Sequence, residues 1–464
     1  METEQEKKVV VEVATPKKPV GLFVASAIGI LLLVGGLVYW KQKGGTAAVV
    51  NKTPLTILWA EWAPADYLKI LVADFTKETG VPVNIVTKPW NTFQDYTFGV
   101  FDAKKSDFDM VVGDSQWVGR GSRGGDYVEL TDFIKENKLT DTMLPVAIEG
   151  YGEYPKGSKR YWAVPLEGDA LGWAYRKDIF EDPVEKKNFK AKYNYDLDVP
   201  QTWDQVRDIA EFFYRPQKNF YGLGMITGIE HDTISMGVEN LIWAFGGNLG
   251  DYQTHKVKGI LNTKESIAGL EFYKKLYKFT PPGFDNAFYT LSSDEYEKGR
   301  IPMFFSYFAF FPELENPAKN PYYAQTGYFK MPSGPKAQIA SLGGQGISIN
   351  SYTTRKDDSI KFLKWFIRDD VQQKWASVGG FSTSKKVLSS EEFFKVARFN
   401  KAFAESMTIL KDFWTDPVYD ELLQASQKKW HEYVTTDTTT AQQTMDELAH
   451  DWENVFEYAG YYKE

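Results

Sequence analysis

The chain is 464 residues long, and 54 Lys and Arg against 62 Asp and Glu give it a formal net charge of −8. Apolar residues make up 43% and charged residues 25%, which is typical of globular domains, and the acidic excess argues against a nucleic-acid-binding protein. The chain has no Cys and only 4 His, so composition excludes disulfides, cysteine-ligated metals and a lipidated cysteine, and disfavours a multi-histidine metal site. We therefore predict no cofactor and no metal.

An uncharged run of 22 residues occupies positions 19–40, behind a short tail at 1–18. A helix that crosses the hydrocarbon core of a bilayer needs about 20 apolar residues. We therefore predict a transmembrane anchor at 19–40 and a linker at 41–52, with the large body extracytoplasmic. The alternative is a signal peptide cleaved after the small residues at 46–48, although the run exceeds the ~7–15 apolar residues usual in signal peptides.

Three strand signals open the body of the chain, at 55–60, 81–87 and 109–114. A helical apolar pattern at 66–78 separates the first two and ends at Gly80. A chain that alternates strands and helices pairs its strands in parallel, so this order predicts an α/β sheet.

Later segments continue the mixed α/β pattern. Further strands are predicted at 161–166 and 344–350, helices at 203–214, 234–245 and 266–279, and mostly helical structure after residue 350.

Aromatic and acidic side chains follow the first two predicted strands. Glu61 and Trp62 end the first, and Trp90 follows the second in a loop after Pro89. Open α/β sheets bind ligands at the carboxyl ends of strands. An indole face can stack on a sugar ring and a carboxylate accepts hydroxyl hydrogen bonds, so these residues are candidate ligand contacts. The neighbouring Trp59 is either a ligand contact or a core residue.

The same reasoning extends to later segments of the chain. Asp114 and Trp117 follow the third strand, where they either contact ligand or cap the next helix. Trp243, near a helix end, faces either the cleft or the core. Gly344 and Gln345 can offer a bare backbone amide and a side-chain amide to ligand oxygens, or simply form a tight turn.

Several segments, taken together and in order, resemble family 1 extracellular solute-binding proteins, the sugar receptors of ABC importers. The resemblance covers nearly all of 55–461, and the segments that carry it are VPLEGDALGWAYRKDIF (164–180), VPQTWDQVRDIAEFF (199–213), WAFGG (243–247), YEKGRIPMFFSYFAFFPEL (296–314), SLGGQGISIN (341–350), SIKFLKWFI (359–367) and GGFSTSKKV (379–387). Bacterial members often carry a lipidated Cys, which this chain lacks; a spanning anchor would replace that tether.

The resemblance implies a two-lobed periplasmic-binding-protein fold whose lobes close on ligand about hinge strands. The first lobe would comprise residues 53–162 and 332–378, and the second 166–329 and 379–464. Crossings between the lobes would fall near 163–165, 330–331 and 379–380.

The resemblance also implies particular ligand contacts. Asp169 falls on the position of a carboxylate that binds sugar hydroxyls, and Phe308 falls on an aromatic stacking position beside Tyr307. Tyr419, which follows Asp416 and Pro417, is a further stacking candidate.

We therefore predict a binding protein, not an enzyme, that takes a neutral sugar or oligosaccharide and delivers it to the permease subunits of an ABC importer. A receptor for a polyamine or another non-sugar solute is one alternative, because acids and aromatic rings also bind cations. A glycoside hydrolase is another, since Asp169 with Asp114 or Glu61 could supply the two carboxylates that such enzymes need.

Overall fold

The computed structural model describes residues 53–462. The predicted tail, transmembrane segment and linker, at 1–52, lie outside the described residues. Within 53–462, no helix combines the length and the apolarity that crossing a bilayer requires.

Eight strands form one mixed sheet. They are β1 (Leu55–Ala60), β2 (Val83–Lys88), β3 (Met110–Asp114), β4 (Val164–Arg176), β5 (Met303–Tyr307), β6 (Thr326–Lys330), β7 (Ala340–Ile349) and β8 (Leu410–Lys411).

Helices fill the intervals between strands and most of the chain after β7. They are α1 (Ala63–Thr79), α2 (Trp90–Asp102), α3 (Val118–Gly124), α4 (Thr131–Glu136), α5 (Leu139–Thr142), α6 (Pro145–Gly152), α7 (Lys177–Phe180), α8 (Pro183–Tyr193), α9 (Trp203–Phe213), α10 (Thr233–Phe245), α11 (Lys264–Tyr277), α12 (Tyr289–Glu297), α13 (Lys356–Phe366), α14 (Asp369–Ser377), α15 (Lys385–Leu388), α16 (Glu391–Val396), α17 (Asn400–Ser406), α18 (Tyr419–Thr435) and α19 (Ala441–Tyr458).

Local sequence explains where α9 begins and where α1 ends. The Thr202 hydroxyl and the Gln205 side chain form a reciprocal capping box at the start of α9, which satisfies backbone amides that a helix start leaves free. Gly80 ends α1 with φ 67°, a left-handed conformation that glycine adopts without a steric penalty.

The predicted parallel pairing is confirmed for the first three strands, because β1 lies between β2 and β3 and is parallel to both. The sheet continues through β7 and β4 to β5, in the order β2-β1-β3-β7-β4-β5, while β6 pairs with β4 and β8 with β7. The pairs β3–β7 and β7–β4 are antiparallel. The long strand β4 pairs with β7 over its first half and with β5 and β6 over its second half.

Two large hydrophobic cores define two lobes. The smaller core packs β1, β2 and β3 against α1, α2, α13 and α14. The larger core contains β5 and the helices α8 to α12 and α16 to α19. Both β4 and β7 contribute buried side chains to each core, so these two antiparallel strands pass from one lobe into the other.

The cores also show where other segments pack. Trp375 belongs to the smaller core and Phe381 to the larger. Met331 and Ala340 both belong to the larger core, so the chain around them packs on the second lobe before β7 reaches β3. The residue limits given above for each lobe stay a prediction.

Candidate ligand-binding site

A cavity lies between the two lobes, lined by residues that both of them contribute. We call it the inner cavity. Its lining comprises Trp62, Trp90, Asp114, Asp169, His231, Asp232, Phe288, Tyr289, Tyr307, Phe310, Leu342, Gly343, Gly344, Gln345 and Phe413.

A row of polar side chains crosses three strands at the base of this cavity. Gln345 on β7 lies opposite Asp114 on β3 and opposite Glu167 on β4. Directly opposed residues of antiparallel strands point to the same face of a sheet. The Gln345 amide donates to Asp114 Oδ1 at 2.5 Å, and its carbonyl oxygen accepts from the Trp59 indole. Gln345 is thereby held in one orientation, with both ends bound.

Asp169 reaches the cavity from β4, on the same side of the strand as Glu167 because residues i and i+2 share a face. Its two carboxylate oxygens accept from the backbone amides of Ala170 at 2.8 Å and Ala309 at 3.2 Å. Tyr151 donates to the Gly343 carbonyl at 2.5 Å and accepts from the Asp169 amide at 3.2 Å, which fixes the crossing strands relative to α6.

Aromatic rings from both lobes face one another across the cavity. Trp62 of the first lobe meets Trp90 edge to face at 5.2 Å between ring centroids, and lies 6.3 Å from Phe310 of the second lobe. Phe310 stacks on Tyr289 at 5.1 Å with an interplanar angle of 13°. These rings give the cavity apolar walls above its polar base.

The loop before α10 adds a charged pair from the second lobe. His231 Nε2 lies 3.4 Å from Asp114 Oδ2 and 3.7 Å from Asp232 Oδ1, and its ring lies 5.0 Å from that of Trp90. The Tyr289 hydroxyl donates to Asp232 Oδ1 at 2.7 Å. The imidazole therefore bridges a carboxylate of each lobe.

Carboxyl groups dominate the electrostatics of this region. Burial raises the pKa of Asp114 to about 6, an effect that the nearby His231 opposes, and raises the pKa of Asp412 to about 7. Burial also raises the pKa values of Glu167, Asp169 and Glu239, and Asp169 raises that of Glu167 further.

Two basic groups of this region have pKa values that shift in different directions. Burial opposes the charged form of His231, but attraction to Asp232 and Asp114 outweighs burial and raises the pKa of its imidazole. Burial lowers the pKa of Lys411, on β8, to about 8, and repulsion from Lys156 adds to this.

An outer cleft adjoins the inner cavity and shares Trp90, His231 and Phe288 with it. Its other walls carry amides and acids from both lobes. Gln94 of α2 donates to Asp420 of α18 at 3.0 Å across this cleft, a direct hydrogen bond between the lobes.

Many of the residues predicted from the sequence lie together in the inner cavity. They are Trp62, Trp90, Asp114, Asp169, Tyr307, Gly344 and Gln345. Gly344 has φ 77°, and a Cβ there would lie 2.4 Å from the Glu167 carbonyl, so the close approach of β7 to β4 requires a glycine at this point.

The prediction that Phe308 stacks on the ligand is wrong in this structure. Phe308 is fully buried in the second lobe, packed against Phe311 and Phe403 with its ring over Gly172. Residues 308–310 form a 3₁₀ turn after β5, in which successive side chains point about 120° apart. That turn directs Phe310, not Phe308, into the cavity.

Four other predicted contacts lie outside the cavity lining. Trp117 is buried between Phe93 and Phe98, at 5.0 and 5.6 Å, because the turn after β3 directs it back into the first core. Trp243 is buried in the second core. Glu61, directly after β1, is exposed to solvent.

Tyr419 is also a core residue. It stacks on Phe413 at 5.5 Å with an interplanar angle of 11°, and Phe413 itself lines the cavity. Tyr419 therefore lies behind the wall instead of forming it. The sequence left Trp59 as either a ligand contact or a core residue. In the structure it is fully buried, and its indole donates a hydrogen bond to Gln345 at the base of the cavity.

Sequence reasoning missed several lining residues, chiefly His231, Asp232, Phe288, Tyr289 and Phe310. Most of them lie in loops or at the first residue of a helix, where no periodic pattern marks them. Phe310 was visible within an aromatic run, but the direction of each ring depends on where β5 ends.

Within residues 53–462, no group of three or more His, Cys, Asp or Glu side chains has an arrangement that could hold a metal ion.

A family model described as bacterial extracellular solute-binding protein matches residues 59–373. Because that match covers more than half of the chain, the chain belongs to this family of solute-binding proteins.

Two curated relatives of this chain are also binding proteins. A maltotriose-binding protein of Pyrococcus abyssi (strain GE5 / Orsay) is 22% identical over 295 residues, which are 61% of this chain and 56% of that protein. A probable amino-acid ABC transporter periplasmic-binding protein of Sinorhizobium fredii is 22% identical over 337 residues, 70% of this chain and 71% of that protein. The chain thus spans little more than half the length of the first relative.

Solved structures share the fold. An ABC transporter solute-binding protein of Agrobacterium radiobacter K84 in complex with ribitol superposes with a TM-score of 0.73 at 22% identity, covering 87% of this chain and 100% of that one. Maltose-bound MalE3 of T. maritima gives 0.72 at 21% identity, covering 87% and 99%. The predicted two-lobed binding-protein fold is confirmed.

Proposed function

We propose that this protein is a carbohydrate receptor that captures a sugar or polyol in the inner cavity and delivers it to an ABC importer. The observation that carries this proposal is the pairing of aromatic walls with carboxylate and amide acceptors contributed by both lobes. Aromatic faces stack on the apolar side of a sugar ring, and carboxylates accept hydrogen bonds from its hydroxyls.

The similar proteins support this ligand class. The curated relative from P. abyssi is named for maltotriose, and the two superposed structures hold ribitol and maltose.

Ligand capture would proceed by closure of the two lobes. Residues of the inner cavity belong to both lobes, so a ligand that contacts both favours the closed state. Family membership favours an extracytoplasmic location for the described body. Anchoring through residues 19–40, and hand-over to permease subunits, belong to the same proposal.

The test is a thermal-shift screen of the purified protein against sugars, polyols, polyamines and amino acids. A ligand at 100 times its Kd adds about 2.7 kcal/mol to the free energy of unfolding. We expect sugars or polyols to give the largest shifts, and incubation with oligosaccharides to return them uncleaved. Stabilisation by amino acids alone, or release of cleaved sugar, would contradict the proposal.

A further inference from the structure

The inner cavity is strongly unbalanced in charge. Asp114, Asp169 and Asp232 line it, whereas His231 is the one basic side chain among the lining residues of the described structure. The buried carboxyl groups of Glu167, Glu239 and Asp412 lie close behind, since each of them acts electrostatically on a residue at the cavity. The lining thus presents three carboxyl groups and a single imidazole.

Several of these acids also lack hydrogen-bond donors. Asp114 lines the cavity and is only 8% exposed, and its Oδ2, 3.4 Å from His231 Nε2, accepts no hydrogen bond. Both oxygens of Glu167 and one oxygen each of Glu239 and Asp412 are likewise buried without a donor. A buried acceptor without a partner is costly, and Asp114 is the one of these acids that lines the cavity, so a ligand that donates a hydrogen bond to its Oδ2 would be favoured.

A neutral ligand would satisfy only part of this demand. Its hydroxyls could donate to the carboxyl oxygens but would bring no positive charge, and a nearby cation is what favours the ionised form of a buried acid. A protonated amine supplies three donors together with a positive charge. The rings of Trp62, Trp90 and Phe310 provide faces that also attract a cation.

We propose that the natural ligand is a carbohydrate that carries a protonated amine, and that the ammonium group binds beside Asp114 and Asp232 while the aromatic walls stack on the sugar ring. This inference rests on the proposed carbohydrate receptor and specifies its substrate class. Tyr289 is a positioning residue here, because its hydroxyl donates to Asp232 Oδ1 at 2.7 Å and orients that carboxylate.

The test is titration calorimetry on the full-length protein with matched sugars that differ at one group. D-Glucosamine, D-galactosamine and D-mannosamine are compared with D-glucose, D-galactose and D-mannose, and with the N-acetylated forms, in which acetylation removes the charge. At least one amino sugar should bind about tenfold or more tightly than its hydroxyl and acetyl counterparts, as expected for a hydrogen bond to a charged group in place of a neutral one.

Variants that remove one carboxylate charge test where in the cavity the amine binds. Asp114→Asn and Asp232→Asn keep the shape and an acceptor oxygen but remove the charge, so each should reduce the preference for the amine several-fold. Asp66→Asn removes an exposed carboxylate of α1 outside the cavity and should leave the preference unchanged. If either cavity variant fails to fold, the comparison of amine and hydroxyl sugars on the native protein still decides.

The outcomes separate the two proposals. Neutral sugars that bind as tightly as their amino counterparts would overturn the inference and leave the carbohydrate receptor standing. Binding of spermidine with no affinity for any carbohydrate would overturn the proposed function itself. Failure of every amino sugar to bind would also overturn the inference.

Discussion

His231 Nε2 lies 3.4 Å from Asp114 Oδ2, and this contact joins a loop of the second lobe to a strand end of the first. Asp232 lies on the other side of the same imidazole, at 3.7 Å. The imidazole thus lies between the two lobes, where it lines both the inner cavity and the outer cleft.

Trp62 should contribute directly to ligand affinity. Trp62→Ala removes a half-buried ring that meets Trp90 and Phe310 across the cavity. We expect a loss of about 1–3 kcal/mol in binding free energy, by analogy with stacking of aromatic side chains on nucleobases. Calorimetry with the ligand found by screening measures this loss. Tyr458→Ala, at a residue 91% exposed, is the control and should bind normally.

Phe308 and Phe310 should separate stability from binding. Phe308→Ala empties a fully buried site in the second core and should cost about 3–5 kcal/mol in the free energy of unfolding. Phe310→Ala should cost less stability but weaken ligand binding. Denaturant unfolding and calorimetry on both variants measure the two effects. A normal affinity in Phe310→Ala would contradict the placement of that ring in the site.

Gln345 should be important for stability even without ligand. Gln345→Ala leaves Asp114 Oδ1 and the Trp59 indole without their partners, in surroundings where Gln345 is 1% exposed. Each unsatisfied buried group costs about 1–3 kcal/mol. Urea unfolding should show this loss, whereas Gln373→Ala on the exposed face of α14 should change stability little.

Stability should fall as pH rises through the neutral range. The pKa values of Asp114, about 6, and Asp412, about 7, are raised in the folded state, so the folded protein holds protons that the unfolded chain releases above pH ~4. The unfolded state then binds fewer protons, and the free energy of unfolding decreases with pH. The raised pKa of His231 acts in the same direction at higher pH.

Unfolding midpoints of the ligand-free protein between pH 4.5 and 8 measure this slope. The raised pKa of Asp114 alone corresponds to roughly 3 kcal/mol across its titration, since each tenfold change in proton affinity is worth about 1.4 kcal/mol. Asp412→Asn should flatten the decline between pH 5 and 7. A stability that increases steadily up to pH 8 would contradict the burial of these acids.

The hydrogen bond from Gln94 to Asp420 should favour the closed state. Gln94→Ala removes this contact between the lobes, so the ligand-free variant should show a larger radius of gyration in small-angle scattering than the native protein. Saturating ligand should restore the compact form, because ligand contacts on both lobes still favour closure. Gln442→Ala removes a comparable bond within α19 and should scatter like the native protein.

The sequence by itself determined the class of fold. β1 and β3 are short apolar runs, and a buried parallel strand can be recognised from such a run because both of its faces lie in the core. The ordered segments around β4, β5 and β7 further indicated two lobes of a binding protein. Asp114 was identifiable because it follows a predicted strand, and polar groups at the carboxyl ends of strands meet at one edge of a sheet. Asp169 was predicted from the family resemblance, and Gln345 from its side-chain amide beside two glycines.

Only the tertiary structure decided which rings face the ligand. The direction of Phe308 and Phe310 depends on the residue at which β5 gives way to a turn. His231 and Asp232 lie in a loop without periodic pattern, so their proximity to Asp114 arises from the packing of one lobe on the other. Long-range contacts of this kind are fixed by the mutual position of two cores, which no local stretch of sequence encodes.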